Sequence, residues 1–207
     1  PKVRALLVRQ THASLTGTTL VTFERDVIGP LLANGAVRWF GGSSREPAAY
    51  RYANGSTILV GGLDRPEKFL SSEFDRIVID EVTQVTERAW ETLISRLRGK
   101  APVYKQIVGG CNPDHPFHWM KLRADRGGMV MLNSTHRDNP AYFTADGQAT
   151  AAGRDYMAKL GALTGVRKKR LLEGLWLAAE GVVFEFDQAT HFVDPFDPPP
   201  AWTRFLS

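Results

Sequence analysis

The sequence predicts an α/β domain with a mostly parallel, doubly wound sheet and flanking helices. Three observations carry that prediction. Short apolar runs alternate along the chain with stretches of three-to-four hydrophobic spacing. One run, Ile77-Val78-Ile79, is apolar throughout, as a strand covered on both faces requires. Asn54-Gly55 between two β-prone runs adds a hairpin to this frame.

Taken in order, Val3 to Val8 is short, apolar and bounded by charge, which suits a buried strand. Leu20, Phe23, Val27 and Leu31 then recur at helical spacing, so a helix is expected from Thr18 to Ala33. Asn34-Gly35 ends it, and Pro30 allows a kink before that. Tyr50 to Ala53 and Ser56 to Val60 flank Asn54-Gly55, a pair suited to a type I′ turn. Phe74 to Asp80 is the next strand. Thr86 to Leu97 is an amphipathic helix with Trp90, Leu93, Ile94 and Leu97 on one face, Thr86 as cap and Gly99 beyond its end. Val103 to Val108 is a strand closed by Gly109-Gly110, and Met129 to Leu132 is another. Helical pattern returns between Arg154 and Leu172, interrupted near Gly161 or Gly165. Beyond Trp176 come Gly181 to Phe186 and a Pro-rich stretch through Pro200, which reads as a linker. The expected organisation is a core over 1–145, a helical segment closing it over 146–180, and a linker over 181–207. Pro1 at one end and Trp202 to Ser207 at the other read as cuts through a longer protein.

Composition narrows the class without naming a function. The 207 residues suffice for one sizeable core, and 43% hydrophobic with 23% charged content is ordinary for a globular protein. No apolar run reaches the roughly 18 residues a membrane span needs, and no segment has the pattern of a signal peptide. The single cysteine, Cys111, cannot form an internal disulfide, which fits a reducing cytoplasm. A net charge of +4 and a pI near 9.3 mildly favour a polyanionic partner. The basic run Arg167-Lys168-Lys169-Arg170 fits such a partner or a solvated helix face. The five histidines lack metal-ligand spacing; His115 and His118 lie three apart, without a third ligand.

Chemistry concentrates at two strand ends. Ile77-Val78-Ile79-Asp80-Glu81 is an apolar strand that ends in adjacent carboxylates. In nucleotide hydrolysis the first can hold the Mg²⁺ bound to the phosphates, and the second can orient or deprotonate the attacking water. The alternative is that both acids cap the following helix. Gly109-Gly110-Cys111-Asn112-Pro113 follows the next strand; the Asn112 amide could contact a γ-phosphate and a water, or the segment could be a plain turn. No G-x-x-x-x-G-K-[ST] phosphate loop occurs, and Gly41-Gly42-Ser43-Ser44 carries no lysine. Such a loop is expected upstream of Pro1.

The order of these segments resembles the large terminase subunit of tailed bacteriophages. Leu6-Leu7-Val8-Arg9-Gln10-Thr11 resembles the strand after that family's phosphate loop. Gly55 to Ile58, Gly62-Leu63-Asp64 and Lys68-Phe69 resemble its hairpin and the connection onward. Ile77 to Glu81 with Trp90, Leu93 and Arg96-Leu97-Arg98 resembles its Walker B strand and helix, and Cys111-Asn112-Pro113 its coupling motif. Asn133 to Pro140 resembles its later T-x-x-D-N-P segment, and Glu173 to Trp176 with Gly181 to Phe184 the exit towards its nuclease. Leu175 stands where the family often has Glu.

The resemblance implies a P-loop NTPase core of the RecA/ASCE type, with ATP and Mg²⁺ as cofactors. Asp80 would hold the metal and Glu81 would be the catalytic carboxylate. Asn112 would couple hydrolysis to movement. Arg9 would be an arginine finger or phosphate contact, or a plain surface arginine. The implied output is translocation of viral double-stranded DNA into a procapsid by a homo-oligomeric ring in the host cytoplasm, with portal protein and small terminase subunit as partners and no membrane. Two other readings stay open: a different nucleic-acid ATPase such as a helicase, and a non-catalytic interaction module.

Overall fold

The computed structural model describes residues 2–178. Six strands form one sheet in the order β2-β3-β4-β1-β5-β6. They are β1 (Arg4–Arg9), β2 (Val37–Phe40), β3 (Ala49–Tyr52), β4 (Thr57–Gly62), β5 (Arg76–Asp80) and β6 (Gln106–Gly110). β1 runs parallel to β4 and β5, and β5 parallel to β6; β2 and β3 are antiparallel additions at one edge.

Helical structure over residues 12–33, α1, includes two π-helical stretches, Leu15–Thr19 and Glu24–Ile28. It begins earlier than the hydrophobic spacing suggested, because the Thr11 side chain accepts from the Ser14 amide and opens the first turn. The backbone breaks pattern at Ile28 (φ −108°, ψ 2°), just ahead of Pro30. The other helices are α2 (Glu87–Ile94), α3 (Trp119–Asp125), α4 (Ala151–Gly161) and α5 (Gly165–Glu173). Among the described residues, no helix is long and apolar enough to cross a membrane.

The two faces of the sheet are clothed differently. Leu6, Val8, Leu59, Ile77 and Ile79 point to one face, where Ala89, Trp90 and Leu93 of α2 and Met120 of α3 cover them. Leu7 and Val60 point to the other, under Leu15, Leu20 and Ile28 of α1. On that second face Leu7 is in register with Val78, and Val78 with Val108. Yet Val78 is 43% and Val108 45% exposed. The burial of β5 on both faces expected from its apolar run therefore holds on one face only: α1 meets β5 through Thr19 at Asp80 and leaves Val78 and Val108 exposed.

Other departures have local causes. Gly55 has φ +81°, while Asn54 is not among the positive-φ residues, so the hairpin does not use a type I′ turn. The Gly55 amide donates to the Tyr52 carbonyl, and Gly55 takes the left-handed position that only glycine adopts cheaply. α2 ends at Ile94, before Leu97. β6 starts at Gln106, because residues 101–105 instead wrap Asp75. Met129 to Leu132 form no strand: Met129 and Met131 pack on the core, while Val130 and Leu132 face solvent. β2 and α3 are elements the sequence reading did not contain. The expected run from Gly181 to Phe186 and the Pro-rich linker lie outside the described residues.

Candidate active site

β1, β5 and β6 end at one level of the sheet: Val8 is in register with Ile79, and Asp80 with Gly110. In parallel sheets ligands bind at this carboxyl edge. Arg9, Asp80 and the Cys111-Asn112 segment all meet there.

Side chains alternate along a strand, so Asp80 points to the same face as Val78, towards the first half of α1. Its Oδ2 accepts from the Thr19 hydroxyl at 2.5 Å and lies 3.5 Å from Arg9 Nη1. The same Arg9 nitrogen donates to the Thr18 hydroxyl at 2.6 Å. Arg9 is thereby drawn inward, its side chain 16% exposed against 34% for Asp80. Oδ1 of Asp80 makes no hydrogen bond or ion pair among the described residues. Sequence reasoning missed Thr18 and Thr19; the signal available was a threonine-rich stretch directly after a strand.

Glu81 is built differently. It is the one non-glycine with positive φ among the described residues, at φ 51° and ψ 54°. A side chain with a Cβ occupies this left-handed region at a cost of about 1–2 kcal/mol. The conformation turns the chain sharply out of β5 into a 3₁₀ turn, Val82–Gln84, with no side-chain cap from Glu81. The cap of α2 is Thr86, whose hydroxyl accepts from the Ala89 amide at 3.2 Å. The Glu81 carboxylate makes no hydrogen bond or ion pair among the described residues. It faces the tip of β6: burial pushes the Cys111 thiol up to about 11, the charges of Glu81 and Asp114 add to that rise, and a hydrogen bond from the Thr83 amide opposes it. Asn112 is exposed, and its amide has no hydrogen-bond partner among the described residues.

Three of the four residues singled out from sequence thus carry groups free to meet a ligand: Asp80, Glu81 and Asn112. Arg9 is committed to Asp80 and Thr18. A shallow cleft of about 390 Å³ adjoins them, lined by Gln10, Thr11, Asp64, Gln84 and Arg88 among others. None of Asp80, Glu81 and Asn112 lines it.

For a metal, the uncommitted carboxylate oxygens at this edge are Oδ1 of Asp80 and those of Glu81. Among the described residues no group of three or more His, Cys, Asp or Glu could hold an ion. That suits Mg²⁺, which keeps several waters and binds through one or two carboxylates plus phosphates, and does not suit a caged Ca²⁺ or Zn²⁺.

The family model Terminase_3, phage terminase large subunit, matches residues 4–153. No curated protein matches the chain. The solved large terminase of a thermophilic bacteriophage is similar with a TM-score of 0.60 at 22% identity, over 96% of this chain and 47% of that one. The same terminase in complex with ADP gives 0.60 at 22% identity, over 96% and 46% of the two chains. In complex with ATP-γ-S it gives 0.58 at 20%, again over 96% and 46%. The likeness shows a shared α/β fold, and the chain spans about half the length of the solved terminase chains it matches.

Proposed function

The chain belongs to the phage terminase large-subunit family, and on that premise we propose that it carries the Walker B half of an ATPase site that powers packaging of viral double-stranded DNA. The observation that carries the reading is Glu81: a carboxylate left without partners, in a left-handed conformation, at the tip of an apolar strand. Strained backbone at a strand tip is a mark of function when the side chain it aims has no structural task.

In this reading Asp80 holds Mg²⁺ through its free oxygen, braced from behind by Arg9 and Thr19. When bound there with a triphosphate, such an ion would supply charge neutralisation at the phosphate oxygens. Glu81 orients the attacking water and accepts its proton, a role that requires an acceptor not already engaged. Asn112 donates its amide hydrogens to the γ-phosphate and passes the loss of that phosphate to the rest of the motor. Arg9 serves in its own subunit as the partner of Asp80, which leaves the arginine finger to a residue of a neighbouring subunit.

In this reading a phosphate-binding loop would come in beside β6. Among the described residues β6 is an open edge of the sheet, and Val78 and Val108 lie bare on the face towards which Asp80 points. A strand–loop–helix unit, with its strand beside β6 and its helix over Val78 and Val108, would bring a Gly-rich Lys-Ser/Thr loop next to Asp80. The sequence of 207 residues has no such loop, so we expect this chain alone to show no ATP turnover. Double-stranded DNA, portal protein, the small terminase subunit and a homo-oligomeric ring on the procapsid in the host cytoplasm are the partners and setting that follow from the family.

The test is Glu81→Ala in the complete terminase. Turnover should fall by at least about 10³-fold, roughly 4 kcal/mol of transition-state stabilisation, with nucleotide binding retained. Wild-type turnover in that variant would remove Glu81 from the chemistry.

A further inference from the structure

The turn that carries Glu81 is weak by itself. Its internal bonds are two: Gln84 N–H to the Glu81 carbonyl at 2.9 Å and Val85 N–H to the Val82 carbonyl at 3.1 Å. A single 3₁₀ turn of this length has no independent stability. It is held instead by the segment after β6. The Thr83 carbonyl lies 3.0 Å from His118 Nε2, and the Val85 carbonyl accepts from the Trp119 indole at 2.8 Å. His118 Nδ1 accepts from the Met120 amide at 3.3 Å. With that nitrogen occupied as an acceptor, the ring hydrogen belongs on Nε2, which therefore donates to Thr83. The imidazole is wedged between Trp119 and Trp176, with ring centroids 5.5 and 6.2 Å away.

We infer that His118 is a positioning residue for Glu81: by fixing the Thr83 carbonyl it holds the left-handed backbone that aims the Glu81 carboxylate. The inference rests on the reading of Glu81 as the catalytic carboxylate. It also gives the Cys111-to-Trp119 segment a second task. Asn112 and His118 ride on one stretch of chain, so a displacement at the phosphate-facing amide reaches Thr83, and through it Glu81, by a hydrogen bond rather than through bulk packing.

Two variants of the complete terminase separate positioning from packing. His118→Phe keeps an aromatic ring between Trp119 and Trp176 and removes the donor. His118→Gln keeps an N–H that can reach the Thr83 carbonyl. A misplaced catalytic group costs up to about 10²-fold in rate, so His118→Phe should lower kcat about 10- to 100-fold with KM for ATP unchanged. His118→Gln should restore kcat to within about threefold of wild type, as a retained donor would. Wild-type kcat in His118→Phe overturns the inference, as does a His118→Gln variant as slow as the Phe one. Failure of His118→Phe to fold also counts against it, since the bond would then hold the core and not the turn. Glu81→Gln measured alongside distinguishes the two levels: if it is inert while His118→Phe is normal, only the positioning role is lost. If Glu81→Gln itself turns over ATP, the reading of Glu81 fails.

Discussion

Asp75 and Glu81 flank the same strand, and their surroundings are opposite. Asp75, just before β5, is 1% exposed. Its carboxylate accepts from the Arg4 amide at 2.9 Å, the Ala101 amide at 3.1 Å and Lys105 Nζ at 2.6 Å. Glu81, just after β5, is half-buried, strained and without a hydrogen bond. A carboxylate taken out of water must be compensated. Asp75 is compensated by the protein, and its work is to fasten β1, β5 and the loop before β6 at their amino ends. Glu81 is left for something the fold does not supply. Hydrogen-bond saturation marks Asp75 as a structural acid, and its absence at Glu81 is what supports the catalytic role proposed for that residue.

The comparison predicts opposite results from removing each acid. Asp75→Ala leaves two amides and a lysine without their acceptor, and breaking such a buried network costs about 3–5 kcal/mol. Urea unfolding of the 207-residue chain should show that loss as a lowered midpoint. Glu81→Ala should leave the midpoint where it is, because no bond is lost and alanine, which keeps the Cβ, bears the same left-handed strain. Equal destabilisation by the two substitutions would end the distinction between them.

Much of this was legible in the sequence. The apolar run with its acidic end, the hairpin at Asn54-Gly55, the Thr86 cap and the α/β alternation all rest on local pattern, and the structure contains each. What was not legible depends on long-range partners. Whether Asp80 and Glu81 cap a helix or stand free turns on the backbone angle at Glu81, and no propensity forecasts a left-handed glutamate. Arg9 looked like an outward-reaching arginine until Thr18 and Asp80 drew it in. Asp75 gave no signal, since its three donors come from Arg4, Ala101 and Lys105, all distant in sequence. β2 was missed because it is a short edge strand that buries only Val37 fully. His118, read as half of an unconvincing metal pair, acquires its role from Thr83 across 35 residues of chain.

A smaller effect tests the turn itself. A Cβ on Gly109 would meet the Val82 side chain at 2.8 Å, whereas one on Gly110 has nothing within 4 Å. Val82 follows Glu81 directly and is fully buried, so it cannot swing aside. Gly109→Ala should cost about 1–3 kcal/mol as overpacking does and should slow ATP turnover in the complete terminase by displacing Glu81. Gly110→Ala, one residue on, should leave both unchanged. Equal behaviour of the two would mean that the turn does not depend on close contact with β6.

The smallest effect is one of pH, and its sign comes from Asp75. Burial alone would push this carboxyl up, but Lys105 and the Arg4 and Ala101 amides outweigh it and hold the group below the usual carboxylate range. A group with a depressed folded-state pKa contributes stability that is present above its unfolded value, about 3.9 for Asp, and is lost as pH falls through the folded value. Wild-type stability should therefore gain an acid-side slope below about pH 4, and a single carboxyl contributes at most about 1.4 kcal/mol per pH unit there. Asp75→Asn, compared with wild type by urea unfolding from about pH 6 to about pH 3, should be less stable at the upper end and should converge on wild type as the pH drops. Parallel curves for Asp75→Asn and wild type would mean that the buried carboxylate is not held by its three bonds.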